Sequence, residues 1–157
     1  MADIHEVLIT AELPAELSEA EMAELRWHLG LGARPGALVI VVDHWPVHPV
    51  GEEHGDPLPG DQWEVDAYPL LAQRGPVDRR VGGVAYAELA RREGGGWALS
   101  SRQVVHSDEL GLMGGLLSWL RERAERRWGE VEVRCHVRFC EDGPGLRVVS
   151  SFEGGAW

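Results

Sequence analysis

Lysine is missing from this chain, and basic residues are scarce relative to acidic ones. All 15 basic residues are arginine, while 26 residues are aspartate or glutamate, so the formal net charge is -11. The absence of lysine, together with many glycines, alanines and arginines, is typical of GC-rich coding. A charge of this sign repels phosphate backbones and anionic lipid headgroups. We therefore expect no nucleic-acid or membrane partner, and a protein or a second copy of the chain instead.

Cysteine is nearly absent as well, and no long apolar run occurs. Cys135 and Cys140 fall in one predicted strand region, where five residues of extended chain span about 16 Å, which is too far for a disulfide. The longest apolar run, from Ala37 to Val42, is far shorter than the roughly 20 residues that a membrane helix needs. The first residues show no basic and apolar leader. We expect two free thiols and a cytoplasmic protein.

The pattern of apolar residues predicts a single α+β domain over residues 1–153, followed by a loose tail at 154–157. Strands are predicted at Ile4 to Glu12, Leu38 to Val42, Trp63 to Leu71, Val81 to Arg91, Trp97 to Val105, Val131 to Phe139 and Leu146 to Phe152. Helices are predicted from Ser18, which begins a capping box with Glu21, to Gly30, and from Ser107 to Trp128. This order predicts a mixed or antiparallel sheet with two helices on one face, a ferredoxin-like sandwich with a long inserted loop.

A loop rich in acids and histidines follows the apolar run that ends at Val42. Imidazole and carboxylate groups together suit divalent transition metals, and the candidate ligands are Asp43, His44, His48 and His54. The prolines and glycines between Pro46 and Gly60 exclude a continuous helix, so helical spacing cannot align His44 with His48. No His-Glu-x-x-His spacing is present. The alternative is a solvated loop with incidental histidines.

A second candidate site lies on the face of the sheet that the helices leave open. Strand alternation places four cationic side chains there: Arg102, Arg134, His136 and Arg138. Arginines in such an arrangement favour a carboxylate or phosphate ligand. The alternative is pairing with acids on neighbouring strands, such as Glu88 and Glu132, in which each pair contributes well under about 1 kcal/mol.

One side of the second predicted helix is lined with small residues. A helical wheel places them away from the leucine face, with a tryptophan at the border: Gly111, Gly114, Gly115, Ser118 and Trp119. Each glycine inside a helix costs roughly 1 kcal/mol relative to alanine, so a close approach by a partner chain, by a loop of the same chain or by a ligand is one interpretation. Fraying at a tolerant helix start is the other.

Two segments resemble parts of small, uncharacterised cytoplasmic proteins of high-GC actinobacteria. They are Glu24-Leu25-Arg26-Trp27-His28-Leu29-Gly30 and Trp97-Ala98-Leu99-Ser100-Ser101-Arg102-Gln103. The resemblance implies a bacterial single domain. It brings no activity, cofactor or catalytic residue.

The chain contains none of the common enzyme signatures for nucleophilic elbows, phosphate loops or dinucleotide binding. We therefore expect a non-catalytic acidic binding protein that self-associates as a homodimer, with an inhibitor or immunity-type protein as one version. The first alternative is a small metal-dependent or histidine-based enzyme that uses the loop from Asp43 to Asp61. The second is a binder of a small anion on the open sheet face. No catalytic residue is assigned, and only the enzyme alternative requires a cofactor, a divalent metal.

Overall fold

The computed structural model describes residues 3–42, 45, 47–49, 63–77, 79, 81–140 and 147–149, with the backbone alone for 47–49 and 63–65. Two predicted features fall on residues outside these ranges: the loose tail at 154–157 and most of the loop from Asp43 to Asp61. No helix of the described part combines the length and the apolar character needed to cross a bilayer.

A six-stranded antiparallel sheet forms the centre of the molecule, in the order β10-β9-β1-β6-β5-β4. Its strands are β1 (Ile4–Leu13), β4 (Gly75–Pro76), β5 (Val84–Arg91), β6 (Trp97–His106), β9 (Val133–Phe139) and β10 (Arg147–Val148). Two short pairs lie beside it: β2 (Val47–Pro49) with β3 (Trp63–Val65), and β7 (Arg126–Arg127) with β8 (Glu130–Val131). The central four strands follow the split βαβ order of ferredoxin-like folds, which confirms the predicted α+β class.

Strand alternation separates the two faces of this sheet. Val7, Ile9, Ala11 and Leu13 of β1 are buried, and the register places Leu99 and Cys135 on the same side. Leucines of both helices pack on this side to form one core, in which Met113, Leu116, Leu117 and Leu120 are fully enclosed. On the opposite face of the sheet, β1 contributes Glu6, Leu8, Thr10 and Glu12. Neither helix packs on this face. Cys135 and Cys140 are thiols and are not joined in a disulfide, as expected, and burial raises the pKa of the Cys135 thiol to about 12.

The first helix, α1 (Glu19–His28), begins as predicted. Ser18 accepts a hydrogen bond from the backbone of Glu21, and the Glu21 carboxylate accepts one from the backbone of Ser18, which completes the capping box. Gly30 follows the helix with a φ of 67°.

The second helix is shorter than its sequence pattern predicts. A 3-10 turn at Ser107–Glu109 precedes α2 (Leu110–Arg123), and the N-cap of that turn is His106 rather than Ser107. The prediction of helix up to Trp128 is wrong because Ala124 adopts extended backbone angles and Glu125 donates its N–H to the Glu12 carbonyl of β1. Backbone pairing of Glu125 with β1 thus takes the place of one more helical turn, and the chain then forms the β7–β8 hairpin.

The apolar run from Leu38 to Val42 is not a strand, contrary to the prediction. Its backbone N–H groups donate to the carboxylate of Glu24 on α1 rather than to a neighbouring strand. Two other predicted strands are shorter in the described part of the chain: Trp63 to Leu71 reduces to β3, and Leu146 to Phe152 reduces to β10. A break at Glu132 separates β8 from β9 within the predicted strand from Val131 to Phe139.

Candidate functional site

The predicted metal ligands fall almost entirely outside the described residues. Asp43, His44 and His54 are not among them, and for His48 only the backbone is described, as part of β2. The metal site therefore stays a prediction. Within the described ranges, no group of three or more histidine, cysteine, aspartate or glutamate side chains is arranged to hold a metal ion.

The candidate site in the described structure is built around a buried carboxylate on α1. Glu24 has no exposed side-chain surface, and its Oε1 lies 3.4 Å from Nε2 of His28, one helical turn later. The same carboxylate accepts backbone N–H groups from Val39, from Ile40 at 2.8 Å and from Val41 at 3.0 Å. Three backbone donors and an imidazole replace the hydrogen bonds to water that burial removes from the Glu24 carboxylate.

His28 connects the same pair to a second segment. The backbone N–H of Leu70 donates to Nδ1 of His28 at 3.4 Å, and the N–H of Leu71 donates to the His28 carbonyl at 2.8 Å. Because Nδ1 accepts, the proton of the neutral ring sits on Nε2 and faces Glu24. Burial lowers the pKa of His28 below its ordinary value, although the nearby Glu24 carboxylate acts in the opposite direction.

An aromatic cluster closes around His28. The ring centroid of Trp27 lies 4.8 Å from that of His28, and the Trp45 ring is parallel to His28 within 9° at 6.2 Å. Trp45 donates its indole N–H to the Val41 carbonyl at 2.6 Å and meets Tyr68 edge-on at 5.3 Å. Burial raises the pKa of Tyr68, and the hydrogen-bonded carboxylate of Glu109 raises it further. The cluster therefore connects the segment around Val41 and the segment around Tyr68 to α1 and to the 3-10 turn before α2.

The segment between these two attachments is strongly acidic. We call residues 43–66 the acidic segment because it contains seven acids and no arginine: Asp43, Glu52, Glu53, Asp56, Asp61, Glu64 and Asp66. Val39 to Val41 precede it and are held by Glu24, while Leu70 and Leu71 follow it and are held by His28. Pairing of β2 with β3 brings two of its parts together. One buried pair on α1 thus fixes the chain on both sides of the acidic segment.

The open face of the sheet carries all four predicted anion-binding residues, but two of them are already engaged. Arg102 and Arg138 both contact the buried carboxylate of Glu6, at 2.5 Å and 2.6 Å. Residues 81–84, which we call the strap, cover these guanidinium groups. Its carbonyls accept from Arg102 at Gly82 and Val84, and from Arg138 at Val81. This cluster is satisfied internally, by Glu6 and by the carbonyls of the strap.

Arg134 and His136 lie further along the same face. The strand register aligns Arg134 with Thr10, and Thr10 with Ser100, while His136 is aligned with Leu8. Arg134 is exposed and His136 is half-buried. The Tyr86 hydroxyl lies 3.3 Å from that of Ser100. Among the residues that the structure describes, no helix covers this row of hydroxyl and cationic groups.

The predicted interface on α2 divides into an inner and an outer part. Trp119 is buried, and its indole donates to Glu21 of α1 at 3.3 Å, so it fastens the two helices rather than facing a partner. Burial raises the pKa of Glu21, but hydrogen bonds from Ser18 and Trp119 and the Arg123 guanidinium outweigh it and lower the pKa overall. On the outer side, Gly111 and Ser118 are exposed, and a Cβ added at Gly111 would contact nothing within 4 Å. Gly114 and Gly115 are half-buried.

Sequence reasoning did not single out Glu24 and His28 as a pair. The available signal was their spacing of four residues within a helix, on the side that also carries Leu25. An acid and a histidine at that spacing usually form a solvent-exposed pair, and only the tertiary structure shows their full burial.

Comparisons with protein-family models, with curated protein sequences and with solved structures give no match to this chain. Its function is therefore inferred from the geometry of its own residues.

Proposed function

We propose that this protein is a non-catalytic binding protein that presents the acidic segment to a basic surface of a partner protein. The observation that carries the proposal is the double attachment at Glu24 and His28, which holds the chain immediately before and immediately after the acidic segment. An inhibitor or immunity-type protein that blocks a basic target is one version of this function.

The buried pair itself favours a structural role over catalysis. Glu24 and His28 are an acid and a base in contact, but neither has exposed surface. A general acid or base must reach the substrate directly or through one water molecule. A substrate at this pair would first have to displace the backbone donors that already satisfy Glu24, which would leave a buried charge unpaired.

The distribution of charge supports a basic protein as the partner. Seven of the acids lie between Asp43 and Asp66 with no arginine among them, so this segment accounts for most of the net charge of -11. Charge complementarity of this kind raises association rates and selects partners of opposite sign.

A matched pair of variants tests this function. In the segment variant, Glu52, Glu53, Asp56 and Asp61 are replaced by their amides. The control replaces four exposed acids outside the acidic segment with glutamine: Glu16, Glu19, Glu122 and Glu130. Both variants have the same net charge. The probe is a peptide of about ten arginines, titrated by calorimetry at about 50 mM and about 200 mM salt.

Wild type and the control are expected to bind the peptide alike, with weaker binding at the higher salt concentration. The segment variant is expected to bind at least about tenfold more weakly, because exposed ion pairs contribute up to about 1 kcal/mol each. Equal losses in the two variants would show that general charge alone attracts the peptide, and would contradict the proposal.

The open sheet face supports a second candidate function, the binding of a small anion. Its support is the exposed Arg134 beside the hydroxyls of Thr10 and Ser100. Arg134→Ala is expected to abolish binding of citrate or inorganic phosphate, while Arg79→Ala, at another exposed arginine, leaves it unchanged. Equal binding by both variants would remove this candidate.

A further inference from the structure

Four polar side chains form a continuous row across the open face of the sheet. Arg134 on β9 is aligned with Thr10 on β1, Thr10 with Ser100 on β6, and Ser100 with Glu88 on β5. We call these four residues the polar row. A cation stands at one end of it, a carboxylate stands at the other, and two hydroxyl groups lie between them.

Both charged ends of the polar row are available to a ligand. Arg134 and Glu88 are exposed, and among the residues that the structure describes neither side chain forms a hydrogen bond or an ion pair. Glu12, two residues beyond Thr10 on the same face, already binds two other arginines at 3.0 Å and 3.1 Å. The fold therefore does not use the guanidinium and the carboxylate at the ends of the row.

The middle of the polar row is lined by hydroxyl groups and small side chains. Ala98 lies two residues from Ser100 on β6 and is aligned with Ala90 on β5. Tyr86 stands on the other side of the row, where its hydroxyl lies 3.3 Å from that of Ser100. Together with Thr10, these residues place three hydroxyl groups between the two charges, and each hydroxyl both donates and accepts hydrogen bonds. A ligand that covers them needs polar groups of its own, because an unpaired hydroxyl is costly once water is removed.

The length of the polar row matches a short extended peptide. Three inter-strand spacings of about 4.8 Å separate the backbone at Arg134 from that at Glu88 by roughly 14 Å. Both side chains are long enough to lean toward the middle, which brings the charges closer together. An extended chain of three residues spans about 10 Å. A tripeptide with free termini therefore fits the row in length, in the charges at its two ends and in the amide groups between them.

The charge of the whole protein also favours such a ligand over a simple anion. A net charge of -11 repels an anion at long range, whereas a peptide with free termini and neutral side chains has no net charge. An aliphatic amino acid of the same length would carry the same two charges. Its methylene groups would leave the three hydroxyl groups without partners, while peptide amides can bind them.

We propose that the polar row binds a short peptide with free termini, with its carboxylate at Arg134, its ammonium group at Glu88 and its amide groups against the hydroxyls between them. The inference rests on the second candidate function, because both require Arg134. It goes further in two respects, since it names the class of ligand and adds Glu88 as a second charged binding residue.

The test is an NMR titration of the full chain with trialanine, followed through the backbone amide signals. Binding is expected with a Kd of about 1 mM, as for a weak ligand of this size. The largest shifts are expected at Thr10, Glu88, Ser100 and Arg134. Acetylation of the peptide's amino group removes its positive charge, and amidation of its carboxylate removes the negative one. Each change is expected to weaken binding about fivefold, the effect of losing one exposed ion pair.

Two variants separate the ends of the row. Glu88→Gln is expected to weaken the binding of trialanine about fivefold, without weakening that of acetylated trialanine or of inorganic phosphate. Arg134→Ala is expected to weaken the binding of all three. Glu122→Gln is the control, because Glu122 is exposed on α2, on the other side of the sheet. Since Glu88 is exposed, the thermal midpoint of Glu88→Gln is expected to equal that of wild type.

Three results would each overturn the proposal: unchanged amide signals at about 20 mM trialanine, equal binding of trialanine and its acetylated form, or equal affinity for trialanine in Glu88→Gln and wild type. In each case, phosphate binding that depends on Arg134 would leave the second candidate function standing. If both variants weaken trialanine binding and phosphate does not bind at all, the peptide is supported and the small-anion function is removed.

Discussion

Glu24 and His28 contact each other on α1 with 3.4 Å between Oε1 and Nε2, and neither side chain has exposed surface. Through Glu24 the pair binds the backbone from Val39 to Val41, and through His28 it binds Leu70. A buried pair of this kind contributes little net stability relative to an apolar pair, yet removal of one partner is costly. In this protein the pair positions the chain, because it fixes two distant segments to one helix.

Glu24→Gln is expected to lower the free energy of unfolding by about 3 kcal/mol, since an amide group turns a donor toward backbone N–H groups that need an acceptor. The measurement is urea denaturation at neutral pH. Glu19→Gln is the control because Glu19 lies exposed in the first turn of the same helix, where the change is expected to stay within about 0.5 kcal/mol. Equal effects would mean that Glu24 has no special structural role.

The stability of the protein is expected to fall as the pH falls below the ordinary histidine pKa of 6.5. Burial lowers the pKa of His28, and it lowers that of His5, which is 4% exposed; Asp3 raises the pKa of His5 in part, while Arg147 and His106 lower it. Both rings therefore bind a proton more weakly in the folded than in the unfolded chain. The stability that each neutral ring provides is complete above 6.5 and decreases below it, by up to about 1.4 kcal/mol per pH unit and group.

His5→Phe tests the contribution of His5 to this pH dependence. The ring centroid of His5 lies 5.1 Å from that of Phe139, so a phenyl ring fits the same environment without a titrating group. Urea denaturation at about pH 7.5 and about pH 5.5 is expected to show a smaller loss of stability for the variant than for wild type. The same loss in both proteins would show that His5 does not bind its proton more weakly on folding.

Gly83→Ala is expected to destabilise the protein by more than Gly82→Ala. Both glycines lie in the strap with similar positive φ, 71° at Gly82 and 77° at Gly83, so both substitutions strain the backbone by about 1 kcal/mol or more. A Cβ at Gly83 would also lie 2.6 Å from Nη1 of Arg102, whereas one at Gly82 meets nothing within 4 Å. The difference between the two variants in urea denaturation measures how tightly the strap covers Arg102. No difference would mean that the guanidinium group shifts freely.

Gln73→Glu is expected to destabilise the end of β6 that lies beyond its pairing with β5. The Gln73 side chain acts there like a backbone peptide, since its Nε2 donates to the Val104 carbonyl at 2.6 Å and its Oε1 accepts the Val104 N–H at 2.9 Å. A carboxylate would place an acceptor against that carbonyl, at a cost of about 1–3 kcal/mol in the free energy of unfolding. The amide proton of Val104 is expected to exchange faster in the variant, and unchanged exchange would contradict this role.

Much of the fold follows from local patterns in the sequence. The alternation from Val133 to Phe139, the hairpin around Gly95 and Gly96, and the capping box at Ser18 each specify their element through contacts a few residues apart. These elements in this order predict the α+β sandwich. The open sheet face also follows from alternation, which places Arg102 and Arg138 on it.

The remaining features depend on contacts between distant residues. The run from Leu38 to Val42 has the composition of a strand, but Glu24, more than a dozen residues earlier, takes its backbone donors. The helical periodicity of α2 continues past Ala124, where pairing of Glu125 with Glu12 ends the helix. The engagement of Arg102 and Arg138 by Glu6 requires three strands in register. Periodicity within one segment contains no information on such pairings.

Amide hydrogen exchange of Glu24→Gln is the most direct measurement of whether one buried pair holds both ends of the acidic segment. We expect Val39, Ile40 and Val41 to lose protection together with Leu70 and Leu71, while the amides of β1, β6 and β9 stay protected. Retained protection at Leu70 and Leu71, with loss confined to Val39 through Val41, would show that the two ends are held independently and would contradict a shared attachment.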